Sequence, residues 1–297
     1  MKTSRREFLK TTLLGATGLM IGSEMVAHVI TTDENDKRKG VKACEKPFFF
    51  IQYSDPQFGF MEENNPDIIP EKALVQQAVD IINRLKPPFV IGTGDYIHHK
   101  HNQQELALYH HYTSLINGRT RLFEVPGNHD IRDTTEEELQ FYEDNFGPDH
   151  FYFEHENCAF VGMNSQWLTE EDNPFERRQY RWIEQQLRHA RHCRFIFVFT
   201  HIPFFCEDID EDENYGNIPK PHRQKYMKLF HKYGVNTVFC GHRHNQFEAK
   251  AQGVNMVTCG AVGQQLGGFH GMELIKVYPD SYSFEYIALD KFPAQVF

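Results

Sequence analysis

No stretch of this 297-residue chain approaches the ~20 consecutive apolar residues needed to span a bilayer, so no stable membrane span is expected. None of the six cysteines (Cys44, Cys158, Cys193, Cys206, Cys240 and Cys259) belongs to a Cys-x-x-Cys pair. That removes the common signature of iron–sulfur clusters and zinc ribbons. Cys193 and Cys240 lie in or beside apolar runs and read as buried small hydrophobes. An even cysteine count in an exported chain also permits disulfides, which spacing alone does not assign. Positive charge is scarce: 31 Lys and Arg face 41 Asp and Glu, a net charge of −10. A nucleic-acid groove neutralises phosphates with clustered Lys and Arg, and this balance argues against one. There is no internal repeat and no low-complexity tract.

What is abundant is histidine, with 17 residues, and phenylalanine, with 26. Histidine in that number directs attention to metal ligands and acid–base groups. Apolar residues make up 40% and charged residues 24%, an ordinary globular composition. The length suits one large domain or two small ones. A chain of this size buries roughly three quarters of its unfolded surface.

The first residues read as an address. Met1 to Lys10 is charged, and a short apolar stretch follows from Thr11 to Gly22. A charged start before a short apolar core is the pattern of a secretory signal. The pair Arg5-Arg6, preceded by Ser4 and followed by Phe8 and Leu9, resembles a bacterial twin-arginine export signal. A chance basic amphipathic start is the alternative. The resemblance implies a periplasmic or otherwise exported protein, with the twin-arginine export machinery as a partner. It also implies a passenger exported already folded, often with its metal in place. Residues 1–30 are assigned to this signal, with Ala27 a candidate cleavage point. Residues 31–46 read as a polar linker, and residues 47–297 as one domain.

Along that domain, short apolar runs alternate with amphipathic ones. Strands are expected over 48–53, 89–93, 122–125, 194–200 and 235–240, and helices over 71–86, 103–117, 134–146, 174–192 and 220–233. Pro70 opens the first helix and Pro87-Pro88 closes it. Residues 151–154 and 159–164 flank a turn at Glu156-Asn157 and read as a hairpin. Short strands at 256–258, 273–277 and 283–287 complete a β-rich tail. Strand–helix alternation gives an α/β fold, and the tail points to a second sheet packed on the first.

Five of the apolar strands end in small polar clusters: Asp55 and Gln57, then Asp95, then Asn128 and His129, then His201, then His242 and His244. Strand carboxyl ends are where α/β folds build ligand sites. Carboxylate, amide and imidazole without thiol suit Mn, Fe, Zn or Ni and disfavour Cu(I). There are more donors than one four-coordinate zinc takes. They suffice for two cations about 3.5–4 Å apart, the arrangement that clamps both oxygens of an in-line displacement. Singly, a Gly-His-Arg-His or a Gly-Asn-His-Asp is usually a tight or solvated turn. In order, each after a strand, they form one constellation.

The series Asp55-Pro56-Gln57, Gly94-Asp95, Gly127-Asn128-His129-Asp130, Thr200-His201 and Gly241-His242-Arg243-His244 resembles the calcineurin-like metallophosphoesterase family across essentially the whole domain. The resemblance implies a four-layer αββα sandwich of two mixed β-sheets flanked by helices, with a dinuclear site at the strand ends. It implies that Asp55, Gln57, Asp95 and His244 hold one divalent metal ion. Asp95 would bridge to a second, held also by Asn128, His201 and His242, with Mn, Fe or Zn expected. His129 would bind no metal but lie with Asn128 at the phosphoryl group, as proton donor or charge stabiliser. The expected activity is hydrolysis of phosphate mono- or diesters, in a phosphorylated small molecule or peptide, by metal-activated hydroxide. An exported non-hydrolytic metal-binding protein and a degenerate family member are the alternatives.

Two departures from the family pattern matter. Gln57 stands where histidine is usual, and its local run Ser54-Asp55-Pro56-Gln57-Phe58-Gly59 is similar to a branch whose eukaryotic members are described as protein serine/threonine phosphatases. His98 stands where calcineurin-type protein phosphatases carry the Asp that orients the catalytic histidine. Other features read more plainly. His99, His101, His110 and His111 crowd one helix start as a solvated face. The run from Glu207 to Glu213, six acids in seven residues, reads as a mobile solvated loop; bordering the site, it would repel highly anionic substrates. Asn164-Ser165-Gln166 reads as a substrate contact or a turn, and Pro203-Phe204-Phe205-Cys206 as core packing or a wall of the site.

Overall fold

The computed structural model describes residues 28–31, 41–60, 71–263 and 269–297. Arg5-Arg6, the rest of the expected signal up to residue 27, Pro70 and most of the expected linker lie outside them. In chain order the strands are β1 (His28–Thr31), β2 (Phe48–Tyr53), β3 (Phe89–Gly92), β4 (Arg121–Glu124), β5 (Phe151–His155), β6 (Cys158–Gly162), β7 (Phe195–Phe199), β8 (Thr237–Cys240), β9 (Phe247–Ala251), β10 (Val254–Thr258), β11 (Gly271–Val277) and β12 (Ser281–Ala288). The helices are α1 (Glu71–Leu85), α2 (Gln103–Ser114), α3 (Glu136–Phe146), α4 (Pro174–His189) and α5 (Lys220–Tyr233). No described helix is long and apolar enough to cross a membrane.

The strands form two six-stranded sheets, ordered β1-β12-β11-β2-β3-β4 and β5-β6-β7-β8-β10-β9. Both are mixed. β2, β3 and β4 run parallel while β11 lies antiparallel to β2. β6, β7, β8 and β10 run parallel, with β5 and β9 as antiparallel edges. β7 shows why the sheets stack. It reads Phe195-Ile196-Phe197-Val198-Phe199 without a polar break, as a strand buried on both faces must. Its phenylalanines join one core cluster, while Ile196 and Val198 join the other. Phe50 of β2 belongs to the phenylalanine cluster, 5.3 Å from Phe160, 6.0 Å from Phe197 and 6.1 Å from Phe199. This aromatic layer between the sheets accounts for much of the phenylalanine count. Each ring contributes roughly 1.5–3 kcal/mol on burial. The second cluster holds the helix-facing residues Ile51, Val90 and Val238 together with Val79 and Ile82 of α1 and Ile183 and Leu187 of α4. The layers therefore run helix, sheet, sheet, helix.

Several boundaries differ from the sequence expectation. α2 ends at Ser114 rather than at residue 117, and α4 gives way at Ala190–His192 to a 3-10 turn. α4 starts where Asn173 caps it, its side chain accepting from Phe175 N, with Pro174 in the first turn. β9 was not expected at all. The expected signal boundary at residue 30 falls inside β1, which pairs antiparallel with β12. Part of the expected linker packs on the body: Cys44 is buried, Lys42 N donates to His192 O, and Asn157 Nδ2 donates to Ala43 O. All six cysteines are buried and free of disulfides.

Candidate metal centre

The carboxyl ends of β2, β3 and β4 meet those of β7 and β8 at one edge of the sandwich. Cross-sheet bonds tie them there. Buried Gln52 donates from Nε2 across the sheets to Cys240 O at 2.9 Å and within its own sheet to Thr93 Oγ1 at 3.0 Å. His242 N donates to Asp55 Oδ2 at 3.1 Å, and His201 Nδ1 donates to Thr93 O at 2.7 Å.

Past β2, β3 and β8 the chain turns through strained backbone. Asp55, Gln57, Asp95, His242 and His244 have φ of 52°, 40°, 55°, 71° and 50°. The left-handed region costs an L-residue about 1–2 kcal/mol, and such strain gathers at functional sites. Close approach adds a second constraint. A Cβ on Gly127 would lie 2.3 Å from Asp95 N, and one on Gly241 would lie 1.8 Å from Ser54 Oγ. The glycines let the loops close on Asp95 and Asp55.

Two groups of buried side chains result. Asp95, His201 and His242 form one, and Asp55, Asp95 and His244 the other, each with ligand atoms within 4.8 Å of one another. Asp95 is common to both. Its Oδ2 lies 3.3 Å from His201 Nε2, and Asp55 Oδ1 lies 3.1 Å from His244 Nε2. His201 Nε2 is also 3.2 Å from His242 Nδ1 and 3.1 Å from Asn128 Oδ1. Gln57 is buried beside them. Its Nε2 lies 3.4 Å from His98 Nδ1, and its Oε1 is buried without a hydrogen-bond partner among the described residues. These contacts join six of the seven expected donors, and Gln57 is tied to them through its backbone N, which donates to Asp95 O at 2.9 Å. The donor set is carboxylate, imidazole and amide oxygen, split into two groups around a shared carboxylate, and it fits a pair of borderline or hard divalent cations.

The protein groups also set each other's charge. Burial opposes charge on His201, but the adjacent Asp95 carboxylate outweighs it and lifts the imidazole to about 9. Burial, then the His201 charge, pushes His242 down to about 3. Burial likewise opposes charge on Asp55 and Asp95. His244 beside the first and His201 beside the second nonetheless hold both carboxyls below the usual range. A cation competes with the His201 proton for the same lone pair.

His129 sits at the rim of the first group. Its backbone N donates to Asp95 Oδ1 at 2.8 Å, its Nδ1 donates to His98 O at 2.5 Å, and its ring stacks on His98 at 4.8 Å. The place of an orienting carboxylate is therefore taken by a backbone carbonyl and a stacked imidazole.

Two residues important to this geometry were not expected. Asp130 accepts from Asp95 N and Gly127 N through Oδ2, each at 2.8 Å, and from Tyr96 N through Oδ1 at 2.9 Å. It fastens the loop after β3 to the loop after β4. Burial, then the charge of Asp95, pushes its carboxyl up to about 7. Tyr215 is the second. Its OH accepts from Asn128 Nδ2 at 2.9 Å, and its carbonyl accepts from His242 Nε2 at 2.8 Å. Both bonds turn the remaining atom, Asn128 Oδ1 or His242 Nδ1, toward His201.

Tyr215 follows the acidic run, which is held rather than loose. Glu211 accepts from Cys206 N at 3.0 Å and Glu207 N at 2.8 Å, and fully buried Arg223 donates to the carbonyls of Ile209, Glu211 and Ile218. The remaining sequence candidates stay outside the centre. His99 pairs with Glu105 and His101 with Glu138, while His110 and His111 lie outside the buried set. Asn164 caps a 3-10 turn at Ser165–Leu168 and donates to Asp149, which makes it a turn residue. Phe204 and Phe205 are core.

Comparison with known proteins identifies the family. Residues 52–246 match the family model described as calcineurin-like phosphoesterase. Human serine/threonine-protein phosphatase CPPED1 is 34% identical over 269 residues, which cover 82% of this chain and 85% of that protein. Among solved structures, a dimetal phosphatase from Danio rerio superposes with a TM-score of 0.58 at 16% identity, over 82% of this chain and 97% of that one. A purple acid phosphatase from yellow lupin gives 0.63 at 14% identity, over 84% of this chain and 52% of that one; at such identities both report the fold. On the strength of the family match and the curated relatives, the chain belongs to the calcineurin-like phosphoesterase family of metal-dependent phosphoric ester hydrolases.

Proposed function

We propose that this chain is an exported phosphoesterase that hydrolyses phosphate mono- or diesters with two divalent cations at the strand ends. Asp55, Gln57, Asp95 and His244 hold one cation, and Asp95, Asn128, His201 and His242 the other. One observation carries the reading: two buried donor groups share Asp95, and a histidine belonging to neither stands beside them. Mn, Fe and Zn all suit these donors. Bound there, the pair supplies Lewis acidity toward phosphoryl oxygens and makes water nucleophilic near neutral pH.

The chain's own residues do the rest. His201 commits Nδ1–H to Thr93 O and His242 commits Nε2–H to Tyr215 O, so each presents its other nitrogen as a lone pair. His129 commits Nδ1–H to His98 O, leaving Nε2 to carry a proton toward the leaving oxygen or to offset phosphoryl charge. Asn128, beside it, binds the same group. The acidic run, with Glu207, Asp208, Asp210, Asp212 and Glu213 exposed, disfavours multiply anionic substrates and tolerates a phosphopeptide with basic neighbours. The likeness to CPPED1 supports such a peptide. A panel of nitrophenyl mono- and diesters and a phosphoserine peptide, each with Mn, tests the reading. Turnover of at least one class is expected, and none on any would count against it.

Gln57 offers a neutral amide oxygen where imidazole is usual. Gln57→His should tighten the first cation and raise activity at limiting metal, with little change at saturation. A metal titration of both proteins checks this; identical curves would remove Gln57 from the ligand set. The export half of the proposal rests on Arg5-Arg6. Changing both to Lys keeps the charge and loses the guanidinium pair, and it should retain the protein in the cytoplasm. Cell fractionation reads the result, and normal export of the double variant would refute the signal.

A further inference from the structure

The opposite end of the second sheet carries a group of metal-binding side chains that phosphoester chemistry does not use. Glu154 lies near the end of β5, His189 closes α4, His192 closes the 3-10 turn after it, and Cys193 leads into β7. Glu154, His192 and Cys193 bring one ligand atom each within 4.8 Å of one another. His192 Nε2 is 3.0 Å from Glu154 Oε2 and 3.6 Å from Cys193 Sγ. His189 Nε2 is 3.5 Å from Glu154 Oε1. A tetrahedral zinc with ordinary bond lengths separates its ligand atoms by roughly 3.3–3.6 Å, and the contacts of His192 Nε2 with the carboxylate and the sulfur are close to such edges; His189 borders the group through the other carboxylate oxygen.

The hydrogen bonding of His192 points the same way. Its Nδ1 lies 2.9 Å from His189 O. A carbonyl only accepts, so Nδ1 carries a proton, and Nε2 is the ring atom turned toward the carboxylate and the sulfur. Protons also link these side chains, since His189, His192 and Tyr152 all reach the Glu154 carboxylate. A backbone carbonyl on the far ring nitrogen is the partner that commonly orients a metal-binding imidazole, and a cation would displace the protons between Nε2, the carboxylate and the buried sulfur. An imidazole, a carboxylate and a thiolate, with water as a fourth ligand, suit zinc or a similar borderline cation.

We propose that Glu154, His192 and Cys193 bind one zinc-class divalent cation, with Cys193 as thiolate. The run from Cys193 to His201 along β7 spans roughly 25 Å, so this site stands apart from the dinuclear centre. Its place is a joint: it would pin the turn after α4 and the start of β7 to β5. It uses none of the residues assigned to hydrolysis, so neither proposal depends on the other.

Cobalt(II) separates the two sites, because the dinuclear centre has no sulfur donor. Metal-depleted full-length protein titrated with cobalt should develop a thiolate-to-cobalt charge-transfer band in the near ultraviolet, and equimolar zinc should abolish it. Cys193→Ser should lack the band. His192 is partly exposed, so His192→Ala keeps the test valid even where the cysteine variant folds poorly. Its cobalt affinity should fall by more than about 100-fold, beyond the usual cost of losing an outer-shell partner. Absence of the band at excess cobalt, its persistence in Cys193→Ser, or unchanged affinity in His192→Ala would each overturn the site.

Discussion

Asp95→Asn should lower turnover by more than about 10³-fold, a larger loss than removing one charge-stabilising donor causes. Asp95 is the carboxylate common to both donor groups, so its charge serves both cations. The amide keeps the shape and can still accept from His129 N, so the loop after β4 stays in place. What goes is the negative charge facing His201 and His242. Both cations should weaken together, and metal analysis of the purified variant should find fewer than two per chain. Two tightly bound metals with turnover near wild type would show that Asp95 does not bridge.

His129→Ala should act in the opposite manner: both metals retained and turnover lowered by roughly 10²–10⁴-fold, the scale of a positioned acid. The reason lies in which atoms His129 uses. Its bond to Asp95 comes from the backbone N, which alanine keeps, while the side chain contacts His98. The loss should be smaller for a nitrophenyl ester, whose leaving group needs no proton, than for an alkyl phosphate. Loss of a metal, or equal turnover on the alkyl ester, would mean that His129 has been given the wrong role.

The strands and donors were legible in the sequence because their signals are local. An unbroken apolar run such as β7, closed by Thr200-His201, marks both a buried strand and the residue it delivers. β9 was missed because it is an edge strand of half-buried residues, Phe247-Glu248-Ala249-Lys250-Ala251, whose alanines carry little apolar signal. Asp130 was quoted in its motif but given no work, because two of its partners, Asp95 N and Tyr96 N, lie in the loop after β3, which only folding brings near. Tyr215 was hidden behind a run of acids that composition alone marks as solvated. The buried Arg223, which holds that loop by its carbonyls, looks like any surface arginine in a helical pattern. The second metal group escaped for a related reason. His192 and Cys193 are adjacent, but Glu154 comes from the β5–β6 hairpin, and no spacing links them.

The central claim is that these strand-end loops hydrolyse phosphoesters through bound cations. Its most direct test is hydrolysis of nitrophenyl phosphate by full-length protein stripped with chelator and shown by elemental analysis to be metal-free. The account predicts no hydrolysis above background from the stripped protein and recovery on adding Mn, saturating near two ions per chain at the strand-end site. Full activity from demonstrably metal-free protein would contradict it.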